Sequence, residues 1–307
     1  MKKMNYDPEY IKPEIRDGWN VSEKMKKVWY IYLDLIKVFA EICDKHHLRW
    51  YLCGGALIGI VRHHGFIPWD DDVDLMMPRE DYNKFLEIAA GELKHPYYLR
   101  TTLTEKECFQ YWASICNSET TGNRETCLSK RQNNGISIDI LPYEGCEDNI
   151  HLYALRRKPL YILAVLCNTY VNDYNTSRIA NIIRTILRKT GFNYIAVYKW
   201  LEKHNSKHPW SKYNYITYTL EADPELKRGL QVNFFKKEWF EKTIEMPFEN
   251  TVLPVPIGYD KILTQEYGDY MTFPPIESRK AKHDMVFEPD IPYKEYCHAK
   301  YGVSYEE

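Results

Sequence analysis

The chain has 307 residues, enough for one large domain or two modest ones, and its 41 Lys/Arg nearly balance its 43 Asp/Glu. This balance gives no indication of nucleic-acid binding, and the longest apolar run, residues 160–167, is too short to cross a bilayer. The N-terminal sequence is polar and the eight cysteines lack Cys-x-x-Cys spacing, so we expect a cytoplasmic protein with free thiols.

Hydrophobic periodicity predicts helices in two places before the middle of the chain. Apolar residues recur at helical spacing over 22–47, where Ser22 is the expected N-cap, and again over 79–90. The remaining predicted elements are strands near 97–101, 109–116 and 135–141, helices over 151–205 with interruptions near 172–177 and at Gly191, and short strands with proline-rich loops from about 235.

A glycine pair follows the first helix. An apolar stretch at residues 51–53 leads into Gly54 and Gly55, and one or two helical turns then carry the chain to Arg62 and His63. Glycines between a strand and a helix let backbone N–H groups approach a phosphate closely. We therefore predict phosphate contacts from the glycine pair and from the two basic side chains.

The acidic run Trp69-Asp70-Asp71-Asp72-Val73-Asp74 carries the strongest functional signal. In an extended chain Asp70, Asp72 and Asp74 share one face, while Asp71 points to the other. Such a row of like charges repels itself unless a cation lies against it, and oxygen ligands of this kind suit Mg²⁺ or Mn²⁺. We interpret Asp72 and Asp74 as metal ligands, Asp70 as a further ligand and Asp71 as a supporting group. The alternative is a solvated acidic loop.

A third carboxylate is expected from another strand. A glycine loop followed within twenty residues by an Asp-x-Asp strand matches the layout of the nucleotidyltransferase fold. In residues 135–141 the isoleucines would face one way and Asp139 the other. An aspartate on an apolar strand needs a partner if it points inward. We expect Asp139 to complete the metal site or to take the proton of the attacking hydroxyl.

Three segments resemble the LicD family, which includes bacterial phosphocholine transferases and is related to the fukutin-type proteins of animals. These segments are residues 54–82, residues 135–142, and residues 255–275 with Arg279 and His283 beyond them. The resemblance spans most of the chain in the family's order, although residues 145–235 match no family motif. One departure is His64, where the family more often has a lysine.

The resemblance implies an α+β, nucleotidyltransferase-like mixed sheet with flanking helices and a helical insertion. It also implies metal-dependent transfer of a phospho-alcohol, preferably phosphocholine, from a CDP-linked donor, with CMP as the leaving group. The implied acceptor is a hydroxyl of a cell-surface glycan, lipopolysaccharide or teichoic acid. Two other interpretations stay open: a nucleotidyltransferase that consumes a nucleoside triphosphate and releases pyrophosphate, and a non-catalytic protein that binds partners at a membrane surface.

The C-terminal family-like segment supplies the remaining candidates for the site. Arg279 and His283 are four residues apart, so they would share a helix face and could bind phosphate. The expected substrate wall consists of Trp112, Tyr267, Asp269 and Tyr270.

The middle of the chain is basic. Residues 151–212 contain eleven Lys/Arg and two Asp/Glu, a net charge of +9 in a chain whose total is −2. Such a segment can lie against anionic lipid headgroups at the inner face of a membrane or against a polyanionic acceptor; a solvated helical face is the alternative. The predicted organisation is an N-terminal extension (1–21), a catalytic core (20–145), a basic, mainly helical insertion (146–235) and a C-terminal segment that returns to the cleft (236–307).

Overall fold

The structure, a computed structural model, describes residues 4–105, 107–172, 177–218, 234–281 and 283–305. The strands within these ranges are β1 Glu14–Arg16, β2 Trp19–Val21, β3 Tyr51–Leu52, β4 Asp74–Pro78, β5 Tyr97–Arg100, β6 Ala113–Asn117, β7 Thr121–Arg124, β8 Ile136–Cys146, β9 Tyr215–Tyr218, β10 Phe234–Lys236, β11 Thr243–Phe248, β12 Thr251–Pro256 and β13 Met285–Glu288. The helices are α1 Glu23–His46, α2 Gly54–Ile58, α3 Arg79–Glu92, α4 Glu125–Leu128, α5 Ile150–Val171, α6 Arg178–Lys189, α7 Tyr194–Asn205, α8 Tyr259–Tyr267 and α9 Tyr293–Tyr301.

A seven-stranded mixed sheet forms the centre of the fold. Its main order is β10-β9-β8-β4-β3, and β6 pairs with β8 and carries β5. Strand β4 runs parallel to β8, whereas the other pairs of this sheet are antiparallel. Because β8 is long, it pairs with β4 along one edge and with β6 and then β9 along the other. The predicted α+β class with a mixed sheet is confirmed.

The first two predicted helices are confirmed with small changes at their ends. The Ser22 hydroxyl accepts the N–H of Met25 at 3.2 Å, which satisfies one of the free donors at the start of α1. The ring of Phe39 in α1 contacts Trp50 and Phe85 edge-on, so α1 and α3 pack on one another. This packing covers the apolar stripe that the sequence pattern indicates.

The middle of the chain is helical, as predicted, with α5, α6 and α7 in succession. The chain leaves the helical conformation at Asn172 and around Gly191, near both expected interruptions, while residues 173–176 lie outside the described ranges. The predicted strand at 109–116 is shorter than expected, because Phe109 and Tyr111 leave the sheet to pack against α5 and α7. Within the described residues, no helix has the length and apolar character needed to cross a bilayer.

A buried ion-pair network joins α7 to the sheet. The Arg79 guanidinium at the start of α3 is fully buried and donates to Glu144 of β8 and Glu202 of α7. Arg157 of α5 lies 3.6 Å from Glu144 and also donates to Asn205. Four elements therefore meet at one cluster of charges.

Glu249 connects the N-terminal segment and the β11–β12 hairpin to the core. Glu249, at the turn between β11 and β12, is paired with Arg16 of β1, and its carboxylate accepts the Tyr10 hydroxyl at 3.3 Å. The same carboxylate accepts the N–H of Phe66 at 3.0 Å, and the Glu249 N–H donates to the carbonyl of His64 at 2.8 Å. One side chain thus connects the N-terminal hairpin, the C-terminal hairpin and the loop before the acidic run.

Candidate active site

The acidic run has the alternation that the sequence predicts, although the paired strand begins only at Asp74. Asp70, Asp72 and Asp74 are partly exposed, whereas Asp71 is buried. The N–H of Asp139 donates to the carbonyl of Val73 at 3.0 Å, which continues the parallel pairing of β4 and β8 by one residue. The extended conformation therefore starts before β4 and presents three carboxylates on one face.

The register of the sheet brings Asp139 to the acidic run. In the parallel pair β4–β8, Asp74 lies directly opposite Asp139. The three isoleucines of β8 are fully buried on the other face, as the sequence predicts. The predicted third carboxylate thus lies on the neighbouring strand.

Asp74 is held in surroundings that disfavour its charge. Burial raises its pKa well above the usual range, and the charges of Asp72, Asp139 and Asp70 raise the pKa further. This convergence of like charges is the arrangement in which a bound cation would stabilise the ionised carboxylates.

Asp139 has partners that sequence reasoning missed. Burial raises its pKa, while the Arg100 charge, the hydrogen bond from Ser114 and the neighbouring Trp112 side chain lower it. The Ser114 hydroxyl donates to the carboxylate at 2.6 Å, and Arg100 donates to the Ser114 oxygen at 3.3 Å and to Ser137 at 3.1 Å. Arg100 is buried at the end of β5. The sequence signal that could have identified it is an arginine directly after the aromatic and apolar residues of this strand.

His283 lies on the acidic run and not on a helix with Arg279. The Asp71 carboxylate accepts the backbone N–H of His283 at 3.1 Å, and the ring Nδ1 lies 3.2 Å from Asp71 and 3.1 Å from Asp72. The hydrogen bonds of the ring to Asp71 and Asp72 raise the pKa of His283 to about 10. The shared helix face predicted for Arg279 and His283 is wrong, because the helical turn there ends at Ser278.

These contacts also define the most compact group of potential metal ligands. In the described part of the chain, one His/Cys/Asp/Glu triad has ligand atoms that all lie within 4.8 Å of one another: Asp71, Asp72 and His283. Asp72, Asp74 and Asp139 interact electrostatically but do not form such a compact group.

The glycine pair lies against the carboxylates. Gly54 has a φ of +54°, and a Cβ at this position would lie 3.7 Å from both Asp74 Oδ2 and the Tyr267 hydroxyl. A Cβ on Gly55 would overlap the Oδ2 of Asp70. The short α2 continues into a π-helical turn, Gly59–His63, which carries the chain to the basic residues.

The basic residues predicted for phosphate gather in an aromatic–cation cluster beside the acidic run. Arg62 donates to His63 Nε2 at 3.0 Å and to the carbonyl of Tyr270 at 2.7 Å, and burial lowers the pKa of Arg62. The ring of His63 stacks on Phe273 and lies 2.6 Å from an Asp17 carboxylate oxygen.

Arg279 joins this cluster from the C-terminal segment. Its guanidinium lies 5.0 Å from the ring of Trp69 and 5.3 Å from that of Phe273, and it donates to the Asp17 carbonyl at 3.1 Å. Arg62, His63 and Arg279 therefore lie in one cluster, and Asp17, which no sequence pattern indicates, connects His63 and Arg279.

The four residues of the expected substrate wall are divided. The Trp112 side chain lies beside Asp139, and the Tyr267 hydroxyl lies beside Gly54. Tyr270 is buried, with its hydroxyl on Asp260 at 2.7 Å. Asp269 is exposed and accepts hydrogen bonds from Thr272 within a turn. Trp112 and Tyr267 are thus next to the carboxylates, while Tyr270 and Asp269 shape the loop behind Arg62.

Comparison with known proteins confirms the resemblance to the LicD family. Residues 47–154 match the family model described as LicD/FKTN/FKRP, nucleotidyltransferase domain. These residues include the glycine pair, the acidic run and Asp139. Residues 47–154 therefore resemble the nucleotidyltransferase domain of this family.

The individual relatives agree with this assignment. The chain is 29% identical over 260 residues to the lipopolysaccharide cholinephosphotransferase LicD of Haemophilus influenzae, and the match covers 82% of this chain and 93% of the relative. Shorter matches are to uncharacterised proteins of Rickettsia typhi (37% over 70 residues, 23% of this chain and 22% of the relative) and Rickettsia prowazekii (39% over 56 residues, 18% and 21%).

Proposed function

We propose that this protein transfers a phospho-alcohol group, with phosphocholine as the first choice, from a CDP-linked donor to a hydroxyl of a cell-surface glycan and releases CMP. The observation that carries the proposal is the pairing of Asp74 with Asp139 across β4 and β8, beside the glycine pair, within the LicD-type domain. The relative that matches most of the chain is named as a cholinephosphotransferase acting on lipopolysaccharide. The proposal includes a nucleotidyltransferase-like fold and a location on the cytoplasmic side.

The residues present fit a divalent cation. Asp70, Asp72, Asp74 and Asp139 offer hard oxygen ligands, and their mutual repulsion contributes to the raised pKa of Asp74. We propose Mg²⁺ or Mn²⁺, held chiefly by Asp72 and Asp74. When bound, the ion would neutralise charge on the pyrophosphate of the donor.

The remaining roles follow from the neighbours of each side chain. Asp139 is the proposed base, because its raised pKa makes it a better proton acceptor than an ordinary aspartate. It takes the proton from the acceptor hydroxyl, whose oxygen attacks the phosphorus that carries the alcohol. The bond from that phosphorus to the oxygen of CMP breaks, and CMP leaves with the electron pair.

Arg62 and Arg279 supply positive charge for the phosphates beside the acidic run, whereas burial lowers the pKa of His63, which can act there as a neutral hydrogen-bonding group. We assign Arg62, His63 and Arg279, with the backbone of Gly54 and Gly55, to binding the phosphates of the donor. His283 places a positive charge directly on Asp71 and Asp72, so we assign it to orienting the acidic run rather than to binding phosphate.

The experiment is an assay of CMP release with Mg²⁺ or Mn²⁺ from CDP-choline, CDP-ethanolamine, CDP-ribitol and CDP-glycerol, with CTP as a comparison. Metal-dependent release of CMP from one CDP-alcohol supports the proposal. Release of pyrophosphate from CTP, with no CMP from the panel, would replace it with the nucleotidyltransferase interpretation. Absence of both reactions with intact nucleotide binding would favour the non-catalytic interpretation.

A further inference from the structure

Helix α6 has an apolar face that no described residue buries. Ile179, Ile182 and Ile186 are spaced to share one side of the helix, and their exposed fractions are 71%, 53% and 54%. Isolated exposed apolar residues are ordinary, but three large ones in a row on one helix face need an explanation.

The orientation of α6 is fixed from its other side. Ala180 and Arg184 are buried, and Ile183 and Leu187 are half-buried, so these positions form the inner face. Arg184 donates to the carbonyls of Thr169 and Asn172 at the end of α5, each at 2.9 Å. The three exposed isoleucines are therefore held outward, because the contacts that would have to break to turn α6 over are buried.

Positive charge borders this face. Arg178 and Lys189 are exposed at the two ends of α6, and residues 151–212 carry a net charge of +9. Helix α5, on which α6 packs, exposes four more large apolar side chains: Leu152 at 39%, Leu155 at 67%, Ile162 at 52% and Val165 at 40%. An amphipathic helix with an apolar face and a basic border is suited to the interface of an anionic bilayer.

We propose that α6 lies in the surface of an anionic membrane, with Ile179, Ile182 and Ile186 among the acyl chains and Arg178 and Lys189 at the lipid headgroups. A polyanionic glycan would use the cations but not the isoleucines. A second copy of this chain would cover the isoleucines, but it would place two segments of +9 against one another. Of these three partners, the lipid surface is the one that uses both features.

The membrane-binding face is connected to the candidate active site by packing. Phe109 and Tyr111 pack with Leu160 of α5 and Tyr198 of α7, and the next residue, Trp112, lies beside Asp139. If the proposed function is correct, this connection holds Asp139, the base proposed for the acceptor hydroxyl, near the membrane. A glycan acceptor that is attached to a lipid would be located there. Lipid binding itself does not depend on that function.

The test measures sedimentation of the full-length protein with vesicles of phosphatidylglycerol and phosphatidylcholine, and with vesicles of phosphatidylcholine alone. We expect binding to the anionic vesicles that weakens with salt. Replacing all three isoleucines (I179S, I182S, I186S) should weaken binding by about 100-fold or more, since each buried isoleucine contributes about an order of magnitude. The charge variant (R178Q, K189Q) should weaken it by about 10-fold.

The matched control replaces three exposed apolar residues outside α5–α7 (I15S, L103S, V252S) and should bind like the wild type. Equal loss in this control, unchanged binding by both α6 variants, or no vesicle binding by the wild type would overturn the proposal. A dimer in solution that the isoleucine variant converts to monomer would also overturn it and identify a subunit interface. CMP release is measured separately without vesicles, so its failure would count against the proposed function and not against lipid binding.

Discussion

At the scale of single residues, Asp74 combines partial burial with three neighbouring carboxylates. Each of these raises the free energy of its ionised form, which is why its pKa is raised. A residue in such a position costs stability when no cation is bound, and a bound cation would offset that cost.

We therefore predict that Asp74→Asn and Asp72→Asn each lower CMP release by about 100-fold or more while leaving the fold intact. Asp74→Asn should melt at the same temperature as the metal-free wild type or higher, because it removes a repulsive charge. Mg²⁺ or Mn²⁺ should raise the melting temperature of the wild type but not of Asp74→Asn. Asp44→Asn, an exposed aspartate in α1, is the control. Near-normal turnover in either variant would show that the metal assignment is wrong.

Gly55 gives a second prediction at this scale. Its backbone is helical, so alanine is acceptable there, but the added methyl group would displace the Asp70 carboxylate. We expect Gly55→Ala to reduce CMP release by about 10- to 100-fold with little change in the melting temperature. Gly91→Ala has open space around its Cβ and should keep full activity. Full activity in Gly55→Ala would mean that the position of Asp70 is unimportant.

The sequence predicts the faces of the acidic run because alternation is a local property of an extended chain. It cannot predict that His283 contacts Asp71, because 212 residues separate them and no periodic pattern links them. The same holds for Arg100 and Ser114, which reach Asp139 only through strand pairing. The helix predicted for Arg279 and His283 fails because the chain after Pro275 makes a single turn that ends at Ser278.

At the scale of elements, α3, β8, α5 and α7 are held together by the Arg79 network. Removing one member of a buried ion pair leaves the other charge without compensation, which is strongly destabilising. We predict that Arg79→Met lowers the free energy of unfolding by about 3–5 kcal/mol, measured by urea denaturation. Lys24→Met removes one partner of an exposed pair with Glu288 and should cost less than about 1 kcal/mol. Similar values for both variants would contradict the central role of Arg79.

Helices in this chain are predictable where a stripe of apolar residues repeats, as in α1 and α3. Strand β6 is predicted too long at its start, because the aromatic side chains of Phe109 and Tyr111 pack on helices and their residues do not pair in the sheet. An apolar stretch indicates that a segment is buried, but it does not indicate which element covers that segment.

At the scale of the whole molecule, Glu249 joins three distant parts of the chain. Its side chain is 4% exposed and it neutralises Arg16, which is 20% exposed. We predict that Glu249→Gln destabilises the protein by about 1.5–3 kcal/mol and makes residues 4–21 more sensitive to protease. Glu9→Gln, which removes a solvent-exposed pair with Lys12, should change neither property. Unchanged protease resistance in Glu249→Gln would show that the N-terminal hairpin is held by other contacts.

The order in which the site is assembled has a consequence for synthesis of the protein. The side chains of the candidate site come from residues between 17 and 283. Asp74 and Asp139 are 65 positions apart, and they come together only when β4 pairs with β8. Contacts of such wide separation form slowly, because the loop between them must be closed first. A nascent chain that still lacks residue 283 has the acidic run without His283, so we expect the candidate site to be complete only after that residue has been synthesised.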